Sequence, residues 1–178
     1  MIIRSLIRLR YLAMMSLFVL ASCGSDEVEF VLICPQVLII DDALHITQYA
    51  PGEGRDLLDV RFDAEIGRVN WVCEFFVDEN RVEIDVSFGM LALRGPAAEG
   101  DVARFPYFVA VADPRGTILA KQVFAIDIQF PGNAMEVGHL ERVFQTLDYA
   151  QLSQAEMYTI YIGFQLTPEQ LAHARAHQ

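Results

Sequence analysis

From Leu58 to Gly67 the chain alternates without a break. Leu58, Val60, Phe62, Ala64 and Ile66 are apolar, and charged residues or glycine stand between them, at Asp59, Arg61, Asp63, Glu65 and Gly67. Successive side chains of a β-strand point to opposite faces, so this period makes a strand with one buried and one wet side. A helix would need its apolar residues three and four apart. The pattern returns at Val82, Ile84, Val86 and Phe88, and again at Tyr158, Ile160, Ile162 and Phe164. A sheet that is wet on one side must bury the other against a second layer. These segments therefore predict an all-β protein built as a sandwich.

The remaining segments fit the same plan. Val37 to Ile40 is an apolar run stopped by Asp41-Asp42, and His45 to Tyr49 is its expected hairpin partner. Val69 to Val77 carries Trp71, Cys73 and Phe75 at alternate positions and predicts a strand separate from the one before it. Asp78-Glu79-Asn80 then predicts a tight turn, since Asn tolerates the left-handed conformation. Phe105 to Ala112 is apolar at nearly every position, as in a central strand covered on both faces. Asp113-Pro114-Arg115-Gly116 has the residues of a type I turn. Thr117 to Phe130 is a long strand ended by Pro131-Gly132-Asn133, and Val137 to Leu147 adds another. Thr167, Pro168 and Gln170 sit where a helix takes its cap, its first residue and its third. The expectation is an antiparallel β-sandwich of about seven to nine strands, immunoglobulin-like in a loose sense, with a short C-terminal helix.

The first 23 residues are of another kind. Arg4, Arg8 and Arg10 precede an apolar run from Tyr11 to Ala21, with no acidic residue before Asp26. A spanning helix needs roughly 20 apolar residues; a short apolar run behind a positive start describes an export signal. Leu20-Ala21-Ser22-Cys23 resembles the lipobox of bacterial lipoproteins. That resemblance implies a diacylglycerol thioether on Cys23, cleavage before it and acylation of the new amino terminus. More than one acyl chain is what stable anchoring requires. Residues 1–22 are then a signal peptide, 23–30 a lipidated tether and 31–178 a single domain. The implied location is the cell envelope, lipid-anchored and facing the periplasm. Gly24 and Ser25 follow Cys23 without the Asp that favours inner-membrane retention in enteric bacteria, which leans toward the outer membrane. The mature part resembles proteobacterial envelope lipoproteins to which no activity is attached.

Charge bounds the partners. The leader holds three of the 13 Lys and Arg and none of the 24 Asp and Glu, so the 156 residues after residue 22 carry a formal −14 with His neutral. Nucleic-acid binding depends on Lys and Arg neutralising phosphates, so no nucleic-acid partner is expected. With Cys23 bearing lipid, Cys34 and Cys73 remain, and two thiols in an exported chain predict one disulfide.

No spacing predicts catalysis. The mature chain has only Ser25, Ser87 and Ser153, none within G-x-S-x-G. Glu169, His173 and His177 recur every four residues on the terminal helix and are the candidates for a metal. Asp41, Asp42, Glu53, Asp56 and Asp59 form a carboxylate-rich stretch that is the candidate for calcium. Phe108 and Tyr161 fall on the less regular face of their strands, where exposure would mark a partner contact. The reading is a membrane-anchored envelope lipoprotein, not an enzyme and with no cofactor, acting as a binding or assembly module for another envelope protein. The alternative is a periplasmic carrier or sensor of a small ligand or metal. A flat apolar patch rimmed by charge favours the first, and a pocket of convergent polar groups favours the second. Cys23→Ala should abolish labelling by a fatty-acid analogue and block maturation; unchanged membrane association and size on a gel would refute the anchor.

Overall fold

The computed structural model describes residues 32–52 and 54–176. The predicted signal peptide, Cys23 and the tether, together with Glu53 and His177, lie outside the described residues. Eight strands form: β1 (Gln36–Ile39), β2 (His45–Tyr49), β3 (Val60–Phe76), β4 (Arg81–Arg94), β5 (Val102–Ala112), β6 (Ile118–Gln129), β7 (Glu136–Asp148) and β8 (Thr159–Phe164). Two short helices follow β7 and β8, α1 (Leu152–Ala155) and α2 (Pro168–Ala176). Sheet I has the order β1-β8-β5-β6 and sheet II the order β2-β3-β4-β7. Their inward rows share one hydrophobic core, with Val82, Ile84, Val86 and Phe88 of β4 and Phe105, Tyr107, Val109 and Val111 of β5 at its centre. The all-β sandwich expected from the alternation is the fold observed. The one departure from an antiparallel plan is β1, which pairs parallel with β8.

Two predicted connections are corrected. His45 to Tyr49 is not the hairpin partner of the strand before it. A 3₁₀ turn at Asp41–Ala43 carries the chain from one sheet to the other, so β1 pairs with β8 and β2 with β3. The buried Ala43 anchors that crossing. Leu58 to Gly67 and Val69 to Val77 are likewise not two strands but one of 17 residues. Its register with β4 shifts between Ile66 and Val69, where three steps on β3 oppose two on β4. Before this bulge the inward residues are Phe62, Ala64 and Ile66; after it they are Val69, Cys73 and Phe75. The extra residue reverses the parity and keeps both halves facing the core. Leu58 leaves the strand altogether. It is exposed in a 3₁₀ turn, Leu57–Asp59, held by a reciprocal cap in which Asp56 Oδ1 accepts from Leu58 N–H at 2.8 Å and Asp59 Oδ2 accepts from Asp56 N–H at 3.2 Å.

The turn chemistry holds elsewhere. Asn80 takes the left-handed conformation, φ 52°, between β3 and β4. Gly116 N–H donates to Asp113 O at 2.9 Å, and Gly116 has φ +80°. The Asp113 carboxylate accepts from Thr117 N–H at 2.8 Å and Arg115 N–H at 2.9 Å, and these bonds hold its pKa below the usual carboxylate value. At the start of α2, Thr167 Oγ1 accepts from Gln170 N–H at 3.2 Å while Gln170 Oε1 accepts from Thr167 N–H at 2.9 Å.

β5 is covered on both faces, as its composition predicts. Phe108 and Ala110 on its outer side pack with Ala43, Ile40, Tyr161 and Leu166 in a second small cluster. Phe108 is only 8 % exposed, with Lys121 Nζ 4.2 Å from its ring centre. The approach is close: a Cβ on Gly163 would lie 2.8 Å from the Ala43 side chain. Phe108 is therefore packing, not a contact site, and the half-buried Tyr161 belongs to the same cluster.

Cys34 and Cys73 form a disulfide, Cα to Cα 5.9 Å, across 39 residues of chain. Cys34 lies just ahead of β1 and Cys73 within β3, so the bridge staples the two sheets at one side of the sandwich. Cys73→Ser should cost about 2–5 kcal/mol, the usual range for a native bridge in a small exported domain. Denaturant unfolding under non-reducing conditions measures the loss, and an unchanged midpoint would refute it.

Candidate functional site

The outward face of sheet II is built by the strands that enclose the core. Since Val82, Ile84, Val86, Phe88, Met90 and Ala92 of β4 point inward, the residues between them point out. Register then sets the rows across the face. Asp63, Leu93 and Glu136 lie side by side, then Glu65, Leu91 and Gly138, then Gly89 beside Leu140. Beyond these come Asn70, Ser87 and Arg142, then Val72, Asp85 and Phe144, then Glu74, Glu83 and Thr146. Leu140 is 72 % exposed, Phe144 67 % and Val72 66 %. Leu91 and Leu93 are also exposed. Exposed apolar residues thus gather in two groups on this face, Leu91, Leu93 and Leu140 in one and Val72 and Phe144, on either side of Asp85, in the other, with the row Asn70, Ser87 and Arg142 between them and carboxylates at both ends.

Two arginines on this face, Arg142 and Arg81, are already engaged by carboxylates. Arg142 Nε donates to Asp85 Oδ1 at 2.7 Å, its Nη2 meets Asp85 Oδ2, and its guanidinium lies 5.0 Å from the Phe144 ring centre. This pair holds the Asp85 carboxyl below its ordinary pKa and raises that of Arg142. Arg81 reaches Glu79 at 3.0 Å and Glu83 at 3.4 Å, over the ring of Phe76. The uncompensated charge of the face is acidic.

The inward row of β7 is partly polar. Tyr107, 1 % exposed, donates through its hydroxyl to Glu141 Oε1 at 2.8 Å, and Glu141 Oε2 lies 3.2 Å from His139 Nε2. Burial, and then the bond to Glu141, push the Tyr107 pKa well above its ordinary value.

On the far side of sheet II, β2, the loop after it and α2 enclose a cleft of about 710 Å³. Asp41, Asp42, His45, Tyr49, Arg55 and His173 line it. The Arg55 guanidinium stands 5.3 Å over the Tyr49 ring, which meets His173 edge-on at 6.3 Å. Polar contacts hold α2 in place: Gln170 Nε2 donates to Thr47 O at 3.0 Å and Arg175 Nε to Asp42 Oδ2 at 2.6 Å.

The predicted site residues are divided by this geometry. Glu169 and His173 share the cleft with Asp41 and Asp42, while Asp56 and Asp59 cap the 3₁₀ turn. Among the described residues no group of three His, Cys, Asp or Glu is placed to hold a metal ion. The exposed apolar residues of one sheet face, Val72, Leu91, Leu93, Leu140 and Phe144, were not singled out by sequence. Their signal is an apolar residue at a wet parity, and it is legible only once each strand's inward parity is known. No family model, curated protein or solved structure matches the chain.

The Tyr107 bond has a pH signature. An unfolded tyrosine ionises near pH 10, whereas the folded Tyr107 keeps its proton. Above about pH 10 the unfolded state binds fewer protons, so stability falls as pH rises. Tyr107→Phe loses a bond to a charged group and should cost about 1.5–3 kcal/mol at neutral pH. That deficit should shrink above about pH 10, because the wild type alone suffers the alkaline loss. Denaturant unfolding on either side of that pH checks both statements.

Proposed function

We propose that this chain is a lipid-anchored envelope protein whose β-sandwich docks another envelope protein, without catalysis, through the outward face of sheet II. The observation that carries this reading is that five large apolar residues, Val72, Leu91, Leu93, Leu140 and Phe144, lie exposed on one sheet face among acidic residues. Contiguous exposed apolar surface rimmed by polar groups marks an interaction site more often than chance exposure does. The core of an interface is depleted of charge and its rim is polar. Attachment through Cys23 adds to this, because a tether raises the effective concentration of a docking face near other membrane proteins.

A second reading, a periplasmic carrier or sensor of a small ligand, draws on the cleft beneath α2. Pockets of this size with a few convergent polar groups are the usual form of small-molecule sites, and His45, Arg55 and His173 supply those groups here.

The two readings separate by substitution. Leu140→Glu and Phe144→Glu alter exposed side chains and should leave stability within about 0.5 kcal/mol. Either should abolish cross-linking to the envelope partner in membranes. Retained cross-linking, combined with loss of the cellular phenotype in Arg55→Ala or His173→Ala at an unchanged melt, would transfer the function to the cleft.

A further inference from the structure

The four outer strands of the two sheets are not alike. β1 and β2 are short edges of 4 and 5 residues, and β6 and β7 are long ones of 12 and 13. An edge presents unpaired backbone N–H and C=O groups, and proteins guard such edges with short strands, lysines, prolines or bulges. β6 carries Lys121, the single lysine of the whole sequence. β7 contains neither lysine nor proline and pairs with β4 along its length with no register shift. Its arginine, Arg142, is turned back onto Asp85 of β4. Its inward carboxylate, Glu141, is engaged by the Tyr107 hydroxyl and the His139 ring. Among the described residues no strand pairs with the other side of β7.

We infer that β7 is a strand-addition site and that its occupant is an extended segment of another protein with apolar and Lys/Arg residues in alternation. The backbone decides the conformation, because only an extended chain matches a row of edge donors and acceptors. Charge decides the composition. Glu136 and Asp148 stand at the two ends of the outward row of β7, opposite Leu93 and Arg81 of β4, and neither has an ion pair among the described residues, whereas Glu141, Asp85 and Glu83 are already engaged. Opposite charges on paired strands stabilise and like charges directly opposite destabilise. A second copy of this chain, at a formal −14, brings the wrong sign, and so does its own segment Asp26-Glu27-Val28-Glu29. The added strand would also lay its outward side chains beside Leu140 and Phe144. This inference rests on the docking reading above and names its mode and partner chemistry.

The test uses the full mature protein in detergent micelles and a fluorescent ten-residue peptide of alternating Val and Lys. Two companions are its Glu-for-Lys counterpart and a version with three backbone N-methyl groups along one edge. The Val/Lys peptide should bind at low salt, and each companion should bind at least about tenfold more weakly, equivalent to about 1.4 kcal/mol. Amide exchange should slow in β7 and not in β6. Binding indifferent to N-methylation, or exchange protection at β6 instead, would overturn the edge while leaving docking by the face intact. Equal binding of the Glu peptide would overturn the charge argument, and dimerisation through β7 in sedimentation would install a second copy as the occupant. Absence of peptide binding would sink the inference alone if Phe144→Glu still removes the membrane cross-link. If that cross-link is insensitive to Phe144→Glu, the docking reading fails with it.

Discussion

The ring of Phe88 meets the ring of Tyr107 nearly edge-on, with centroids 5.5 Å apart, at the middle of the sandwich. One belongs to β4 and the other to β5, the inner strands of opposing sheets, and both are almost wholly buried. Aromatic pairs in this geometry contribute about 0.5–1.5 kcal/mol beyond the area they remove from water. Around them the inward rows of both sheets close one continuous core. The other features of the molecule follow from keeping every strand's inward row on that core. The bulge in β3, the 3₁₀ crossing at Asp41–Ala43 and the disulfide at the β1 side are each a local solution to that requirement.

The bulge shows how strict the requirement is. β3 is long enough to serve two neighbourhoods, Ala92 to Met90 of β4 in its first half and Phe88 to Val82 in its second. The sequence changes phase between Ile66 and Val69, and an unbulged strand would turn Val69, Cys73 and Phe75 to solvent. An added residue in the strand costs a local break in the ladder and saves a whole row of burial. It also places Cys73 on the inward side, where Cys34 can reach it.

Polar chemistry is confined to the margins of this core. Tyr107 brings a hydroxyl into the sandwich, and Glu141 reaches in from the edge strand β7 to satisfy it. A buried hydroxyl without a partner is costly, so the edge strand is tied to the centre by a hydrogen bond as well as by packing. The outcome is a β7 whose inward side is fixed and whose outward side carries Leu140 and Phe144. That outward side is thus tied from behind to the centre of the sandwich.

The period of two in Val60–Ile66 and Val82–Phe88 was enough to specify strands, one-sided burial and hence a sandwich, because side-chain direction alternates along any extended chain. Turn and cap residues were equally legible: Asn80, Asp113, Gly116 and the Thr167–Gln170 pair act through neighbours a few positions away. Sequence left the pairing open. Nothing local distinguishes β2 as the partner of β3 from β2 as the partner of β1, because that choice depends on distant chain: Ile46 is buried opposite Ala64 of β3. The parity of β7 was equally hidden, since its inward row mixes His139, Glu141 and Gln145 with Val143 and Leu147. Phe108 and Tyr161 looked available because their strand faces were irregular, and the chain at Ala43 and Leu166 covers them. The sequence by itself determined which segments extend and where the chain turns, since those depend on backbone and side-chain direction alone. Only the tertiary structure decided which apolar residues remain in water, because exposure depends on what the distant chain lays over each face.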